Sequence, residues 1–95
     1  MKDLFLELYK TIEHRKKSNK KNSYTKKLFK DGEKKIAQKF GEESSELLID
    51  FLKGSKKRTT EEAVDVIYHL FVLLTAKKIK LIDLEKEILK RKNVR

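Results

Sequence analysis

The chain contains no proline and only three glycines among 95 residues, so very little in it interrupts a regular helix. Leucine, lysine and glutamate, which favour helices, are abundant together with isoleucine. We therefore predict an all-α chain with few loops. The length suits one domain over residues 1–95, and because a core of this size is only marginally large enough, we expect two copies to pack together.

Composition narrows the class of protein further. The absence of cysteine excludes disulfides and thiolate metal sites. Lysine and arginine number 25 against 15 acidic residues, and the resulting charge of +10 favours anionic partners such as polyphosphates or nucleic acids. No apolar run reaches the roughly 18 residues of a membrane span, and the first residues lack a signal-peptide pattern. We expect a cytoplasmic protein without a membrane partner.

Hydrophobic spacing and capping residues divide the chain into five predicted helices. They cover approximately residues 3–17, 24–30, 33–53 and 59–77, followed by a last helix that includes residues 84–90. Asp3 and Ser23 are the expected N-caps of the first two, and Thr59 with Glu62 fits a capping box for the fourth. Residues 15–22, which are basic and lack apolar side chains, are interpreted as a mobile linker, with contact to substrate phosphates as the alternative.

Acidic residues lie beside the apolar stripes of the third and fourth predicted helices. At about 100° per residue, Glu43 projects at the edge of one stripe and Glu46 flanks it. Glu62 and Asp65 share a narrow arc of the next helix, whose other residues are apolar nearly all round. If these arcs pack together, the carboxylates repel one another in a poorly solvated place, which raises pKa values or requires a cation. Oxygen ligands favour Mg²⁺, with Mn²⁺ as a substitute.

These acidic motifs resemble those of a known superfamily. E-E-x-x-E, then fifteen residues, then E-x-x-D is similar to the signature of the all-α, MazG-like nucleotide pyrophosphohydrolases. The flanking residues resemble one branch, the phosphoribosyl-ATP pyrophosphatases of histidine biosynthesis. The motifs that carry this resemblance are Ser23-Tyr24-Thr25, Lys39-x-Gly41-Glu42-Glu43 and Asp65-x-x-Tyr68-His69. The resemblance implies a MazG-like helical bundle completed by dimerisation, which hydrolyses phosphoribosyl-ATP to phosphoribosyl-AMP and pyrophosphate with Mg²⁺.

The resemblance also implies roles for individual acidic residues. The implied metal ligands are Glu43, Glu46, Glu62 and Asp65, the same four that the helical angles indicate. Glu42 matches the first position of the motif but projects about 100° from Glu43, so we assign it to a second coordination sphere or a second metal. A carboxylate among Glu42, Glu43 and Glu46 is the candidate general base. Capping remains the alternative for Glu62, although it does not explain Asp65.

Four further residues are candidates for substrate binding. Lys35 and Lys39 match family positions and are suited to phosphate contact, although Lys39 alternatively balances the charge of Glu43. Tyr24 either closes over the base or ribose or packs the short helix onto the bundle. His69 contacts substrate or the metal shell, or is a satisfied core histidine.

Two rival functions remain open. The first is a MazG-like enzyme that hydrolyses free nucleoside or deoxynucleoside triphosphates at the same site. The second, which we regard as the weaker, is a basic helical module that binds nucleic acid through residues 15–21 and 56–58.

Overall fold

The computed structural model describes residues 3–18 and 23–92, and this part of the chain contains helices and no strand. The five helices are α1 (Leu4–Lys17), α2 (Tyr24–Asp31), α3 (Glu33–Lys53), α4 (Lys56–Ala76) and α5 (Leu81–Arg91). The all-α prediction is confirmed. Residues 19–22 of the predicted linker lie outside the described residues, whereas residues 15–17 of that segment belong to α1.

Side-chain caps fix the starts of α1, α2 and α4. Asp3 accepts a hydrogen bond from the amide of Leu6 at 3.1 Å, and Ser23 accepts one from Lys26 at 3.2 Å, as predicted. The predicted start of α4 was wrong. Ser55 caps this helix by accepting from the amide of Arg58 at 3.1 Å, and Thr59 lies inside the first turn with its hydroxyl donating back to the Ser55 carbonyl.

Two glycines make the breaks that separate α2, α3 and α4. Gly32 has φ of 96°, a left-handed conformation that side chains rarely adopt. Gly54 has an ordinary negative φ, but a Cβ there would lie 2.9 Å from the carbonyl oxygen of Asp50. The sequence suggests that Gly41, in the interior of α3, allows close approach of a neighbouring helix or a ligand. A Cβ added there would meet no described atom within 4 Å, so among the described residues no helix approaches it closely, and the ligand alternative stays a prediction.

Helices α3 and α4 pack as an antiparallel hairpin around the Gly54–Ser55 break. At one end the hydroxyl of Thr59 donates to the carbonyl of Asp50 at 3.0 Å. At the other end Lys77 forms an ion pair with Glu33 at 3.5 Å. The hairpin thereby brings the middle of α3 against the first half of α4, where the acidic motifs lie.

The core lies where α1 and α2 pack against the hairpin. Val72 on α4 and Ile12 on α1 are its most completely buried side chains. Tyr9 packs edge-on against Phe71 with 5.4 Å between ring centroids, and its hydroxyl donates to the carbonyl of Ile79. The buried apolar residues are Tyr9, Ile12, Leu28, Ile36, Phe71, Val72 and Leu74. A helix that is apolar nearly all round, as the fourth predicted helix is, is expected to be central. Helix α4 packs with α1, α2 and α3, which confirms this expectation.

Several large apolar side chains remain exposed in the single chain. Phe51 and Leu52 near the end of α3 are 71% and 76% exposed, although helical periodicity predicts that Phe51 lies on the packed stripe. Ile88 and Leu89 of α5 are also exposed, whereas Leu84 packs against the core. No described helix is long and apolar enough to span a membrane.

Candidate active site

Three carboxylates from two helices converge where α3 faces α4. Glu43 of α3 and Glu62 and Asp65 of α4 each offer an oxygen, and these oxygens lie within 4.8 Å of one another. We call this group the acidic cluster. Its three members differ in burial. Glu62 is buried at 6% exposure, Glu43 is half-buried and Asp65 is exposed. The cluster therefore opens toward solvent on the Asp65 side.

Glu62 is the electrostatic focus of the acidic cluster. Burial raises the pKa of its carboxyl group, and the nearby charges of Glu46, Asp65 and Glu43 raise it further, while Arg58 opposes them. One oxygen of Glu62 accepts from Arg58 at 3.2 Å. The other, Oε2, is buried without a hydrogen-bond partner in the described part of the chain. An unpaired, buried oxygen beside two other carboxylates is suited to act as a ligand of a cation.

Glu46 and Glu42 lie outside the 4.8 Å group. Glu46 is exposed and acts on Glu62 through its charge. Glu42 turns away, as its helical angle predicts, and pairs with Gln38 at 2.9 Å and Lys39 at 3.3 Å. Both contacts lower the pKa of the Glu42 carboxyl group, and the hydrogen bond from the Gln38 amide has the larger effect. Glu42 is thus held ionised beside the cluster rather than within it.

The two candidate lysines differ in how firmly they are held. The contact with Glu42 raises the pKa of Lys39, and more distant electrostatic interactions with Tyr24 and Glu43 add to it. Lys39 therefore balances Glu42 rather than Glu43, the partner that the sequence suggests, and it stays half-buried near the cluster. Lys35 is exposed one turn earlier on α3 and makes no ion pair with another described residue.

An aromatic wall stands beside the acidic cluster, formed by Tyr24 of α2 with Tyr68 and His69 of α4. Nδ1 of the buried His69 lies 2.8 Å from the carbonyl oxygen of Asp65 and must carry the proton, because a carbonyl only accepts. In the neutral ring Nε2 then accepts from the hydroxyl of Tyr24 at 3.3 Å. Tyr24 also stacks on Tyr68 at 6.3 Å between centroids, yet it is 51% exposed, so half of its surface remains free.

Sequence reasoning missed two residues of this region. The sequence assigns Arg58 to a basic loop, but it occupies the first turn of α4 and contacts Glu62 and Glu61 at 3.2 Å and Asp50 at 3.8 Å. Arg58 and Glu62 are four residues apart, so the sequence indicates their contact if Ser55 is taken as the N-cap of α4. Tyr68 is the other: it belongs to a motif that carries the family resemblance but has no role assigned from the sequence, and its hydroxyl is bonded to that of Thr25 while burial raises its pKa. Asp50, which lies on the Glu43 face of α3 but outside the motif, is an ion-pair partner of Arg58, the role that its position in the sequence favours.

Comparison with known proteins decides the family. The family model described as phosphoribosyl-ATP pyrophosphohydrolase matches residues 5–92. The chain belongs to the phosphoribosyl-ATP pyrophosphohydrolase family. It is therefore a hydrolase by descent, and the resemblance stated from the motifs is confirmed.

Individual members of the phosphoribosyl-ATP pyrophosphohydrolase family are similar over almost the whole chain. A curated phosphoribosyl-ATP pyrophosphatase of Bacillus cereus strain B4264 is 47% identical over 91 residues, which is 96% of this chain and 85% of that protein. The proteins of the same name from Bacillus mycoides strain KBAB4 and Bacillus anthracis strain CDC 684 are 45% and 44% identical over the same shares. The acidic cluster and the aromatic wall both lie within the matched residues.

Proposed function

We propose that this chain hydrolyses phosphoribosyl-ATP to phosphoribosyl-AMP and pyrophosphate, the second step of histidine biosynthesis, with Mg²⁺ as cofactor. Family membership supports the substrate. The observation that carries the cofactor is the unpaired, buried Oε2 of Glu62, in a group whose three carboxylates approach one another within 4.8 Å. Three oxygen donors without any nitrogen or sulfur ligand suit Mg²⁺, and Mn²⁺ as a substitute.

The proposed metal ligands are Glu43, Glu62 and Asp65, with Glu46 as a fourth from the next turn of α3. When bound, the cation supplies neutralisation of phosphate charge and makes water easier to deprotonate. The fit is favourable because a divalent cation removes the repulsion that now raises the pKa of Glu62. Binding of the cation is therefore expected to lower the pKa of the Glu62 carboxyl group.

The remaining residues position substrate and water. A carboxylate among Glu42, Glu43 and Glu46 accepts the proton of the attacking water. Gln38 and Lys39 lower the pKa of Glu42, which makes it a weaker base than an unperturbed carboxylate. Lys39 and Lys35 lie along the same side of α3 and contact phosphate oxygens. The exposed half of Tyr24 offers a flat surface for the base or ribose, and His69 holds the tyrosine hydroxyl in place.

The test is release of pyrophosphate from phosphoribosyl-ATP, followed with a coupled phosphatase in the presence and absence of Mg²⁺. We expect turnover that requires the cation and falls by roughly 100-fold or more in Glu62→Gln, since the isostere loses the charge that holds the metal. Glu61→Gln is the matched control, because this exposed neighbour also contacts Arg58 but lies outside the acidic cluster. Preference for free nucleoside triphosphates over phosphoribosyl-ATP would contradict the proposed substrate.

We also propose that two copies of this single-domain chain associate in the cytoplasm. The exposed apolar residues at the end of α3, together with those of α5, support a partner of the same kind. Burial of Phe51 and Leu52 against a second copy would supply the apolar contact that a core of this size lacks.

A further inference from the structure

A cavity lies at the opposite end of α4 from the acidic cluster. It has a volume of about 360 Å³ and is lined by the side chains of Glu13, Lys16, Lys17, Thr75, Lys78 and Lys80, together with Tyr9. Thr75 follows Asp65 by ten residues on the same helix, a separation of about 15 Å along the axis. The cavity is therefore distinct from the proposed hydrolytic site.

The lining of the cavity is strongly positive. Four lysines face one carboxylate, that of Glu13, and none of the four forms an ion pair within 4.0 Å with any described acidic residue. Lys16 is the most firmly held, because it donates to the carbonyl of Thr75 at 3.4 Å and lies 5.4 Å from the centroid of Phe29. Lys17, Lys78 and Lys80 are exposed and have ammonium groups available to a ligand.

A buried hydroxyl in the lining also lacks a partner. Thr75 is 5% exposed, and its Oγ1 makes no hydrogen bond to any described residue. Buried hydroxyl groups are normally paired, and this one lies in the lining of a cavity that is large enough for a ligand. The lining therefore holds four ammonium groups against one carboxylate and the Thr75 carbonyl, with the unpaired Thr75 hydroxyl buried beside them.

Helix-terminal electrostatics explain three of these lysines but not the fourth. Lys16 and Lys17 lie in the last turn of α1, and Lys78 follows the C-cap of α4, where cations are favourable. Lys80, however, is the N-cap of α5, where a cation is unfavourable, and its backbone amide donates to the carboxylate of Asp83 at 2.9 Å. Lys78 also has φ of 59°, a left-handed position where glycine or asparagine would be less strained. The placement of Lys80 therefore favours an acceptor outside the helices.

We propose that this cavity is a second, metal-independent site that binds a small phosphate-bearing anion. A tetrahedral oxyanion offers several acceptors at once, which suits a cavity lined by four lysines. The acidic cluster would repel the same ligand without a divalent cation, so the two sites respond oppositely to removal of metal.

The test uses inorganic phosphate as the probe, titrated into the full chain in the presence of EDTA and followed by calorimetry and amide NMR shifts. We expect saturable binding with the largest shifts around Thr75 and Lys78. The variant Lys78→Asn/Lys80→Met keeps a residue that tolerates the left-handed position and should weaken binding roughly tenfold, since two partly solvated charge contacts are lost.

The matched control is Lys30→Met/Lys34→Met, which removes the same charge from exposed positions outside the cavity and should bind phosphate like the parent chain. Equal weakening in both double variants would show that overall charge alone attracts phosphate and would overturn the proposal. Absence of saturation, shifts confined to other parts of the chain, or equally tight binding of acetate would overturn it as well.

Discussion

The guanidinium group of Arg58 lies 3.2 Å from Oε1 of Glu62, one turn further along α4. This contact lowers the pKa of the Glu62 carboxyl group, but burial and three neighbouring carboxylates outweigh it, so the pKa is raised overall. In the absence of metal, Glu62 is thus the residue of the acidic cluster whose ionisation opposes folding.

The raised pKa of Glu62 predicts a specific pH dependence of stability without metal. The folded chain binds this proton more tightly than the unfolded chain, whose carboxyl titrates near 4.5, so the free energy of unfolding decreases as the pH rises above that value. We expect Glu62→Gln to lack this contribution and to be more stable than the parent chain at neutral pH. Urea unfolding in EDTA, repeated from acidic to neutral pH, measures the free energy of unfolding of the parent chain and of Glu62→Gln. Parallel pH profiles for the parent chain and Glu62→Gln would contradict the prediction, and Glu61→Gln should follow the parent.

Binding of a divalent cation should stabilise the fold through the acidic cluster. A ligand present at about 100 times its dissociation constant stabilises the folded state by roughly 2.7 kcal/mol, which raises the melting temperature. We expect Mg²⁺ and Mn²⁺ to produce such a rise in the parent chain and in Glu61→Gln. The rise should disappear in Glu62→Gln and in Asp65→Asn. An equal rise in all four proteins would place the cation elsewhere.

Tyr24 should affect substrate binding as well as folding. Because the buried half of its side chain packs on Tyr68 and its hydroxyl bonds to His69, Tyr24→Ala should lower the melting temperature, whether or not the ring contacts substrate. Loss of a stacking surface for the base should raise KM roughly tenfold, since such contacts contribute about 1–3 kcal/mol. Tyr24→Phe keeps the ring and should remain near the parent KM. Steady-state kinetics on phosphoribosyl-ATP distinguish this role from one confined to packing, in which Tyr24→Ala would lower the melting temperature and leave KM unchanged.

The exposed end of α3 should be required for association of two copies. Phe51 and Leu52 contribute little to packing within one chain, so Leu52→Asp should leave the helices intact. A charge placed in a central apolar contact should weaken association roughly 30-fold or more, which corresponds to about 2 kcal/mol. Light scattering after gel filtration measures the molar mass. Lys34→Asp, at an exposed polar position on the same helix, is the control, and a dimeric Leu52→Asp chain would refute this surface as the interface.

Local patterns in the sequence predict the helices and their first caps with close agreement. Asp3 and Ser23 are placed correctly because a capping side chain bonds an amide only three residues away. The predicted start of α4 is wrong because Thr59 and Ser55 both fit a cap, and only the tertiary contact of the Thr59 hydroxyl with the Asp50 carbonyl separates them. Exposure of Phe51 and Ile88 is also missed, since helical periodicity shows which residues share a face but not what covers that face.

The motifs in the sequence are sufficient to identify the family, and composition is sufficient for the all-α class. Spacing along a helix indicates the acidic residues, because it places Glu62 and Asp65 on one arc and Glu43 at the edge of another. Which carboxylates meet depends on tertiary packing. Packing of α3 against α4 brings Glu43 to Glu62 and Asp65, leaves Glu46 and Glu42 outside, and inserts Arg58 beside them. Such meetings depend on how two helices are rotated and offset against each other, and that geometry is set by side chains distant in the chain.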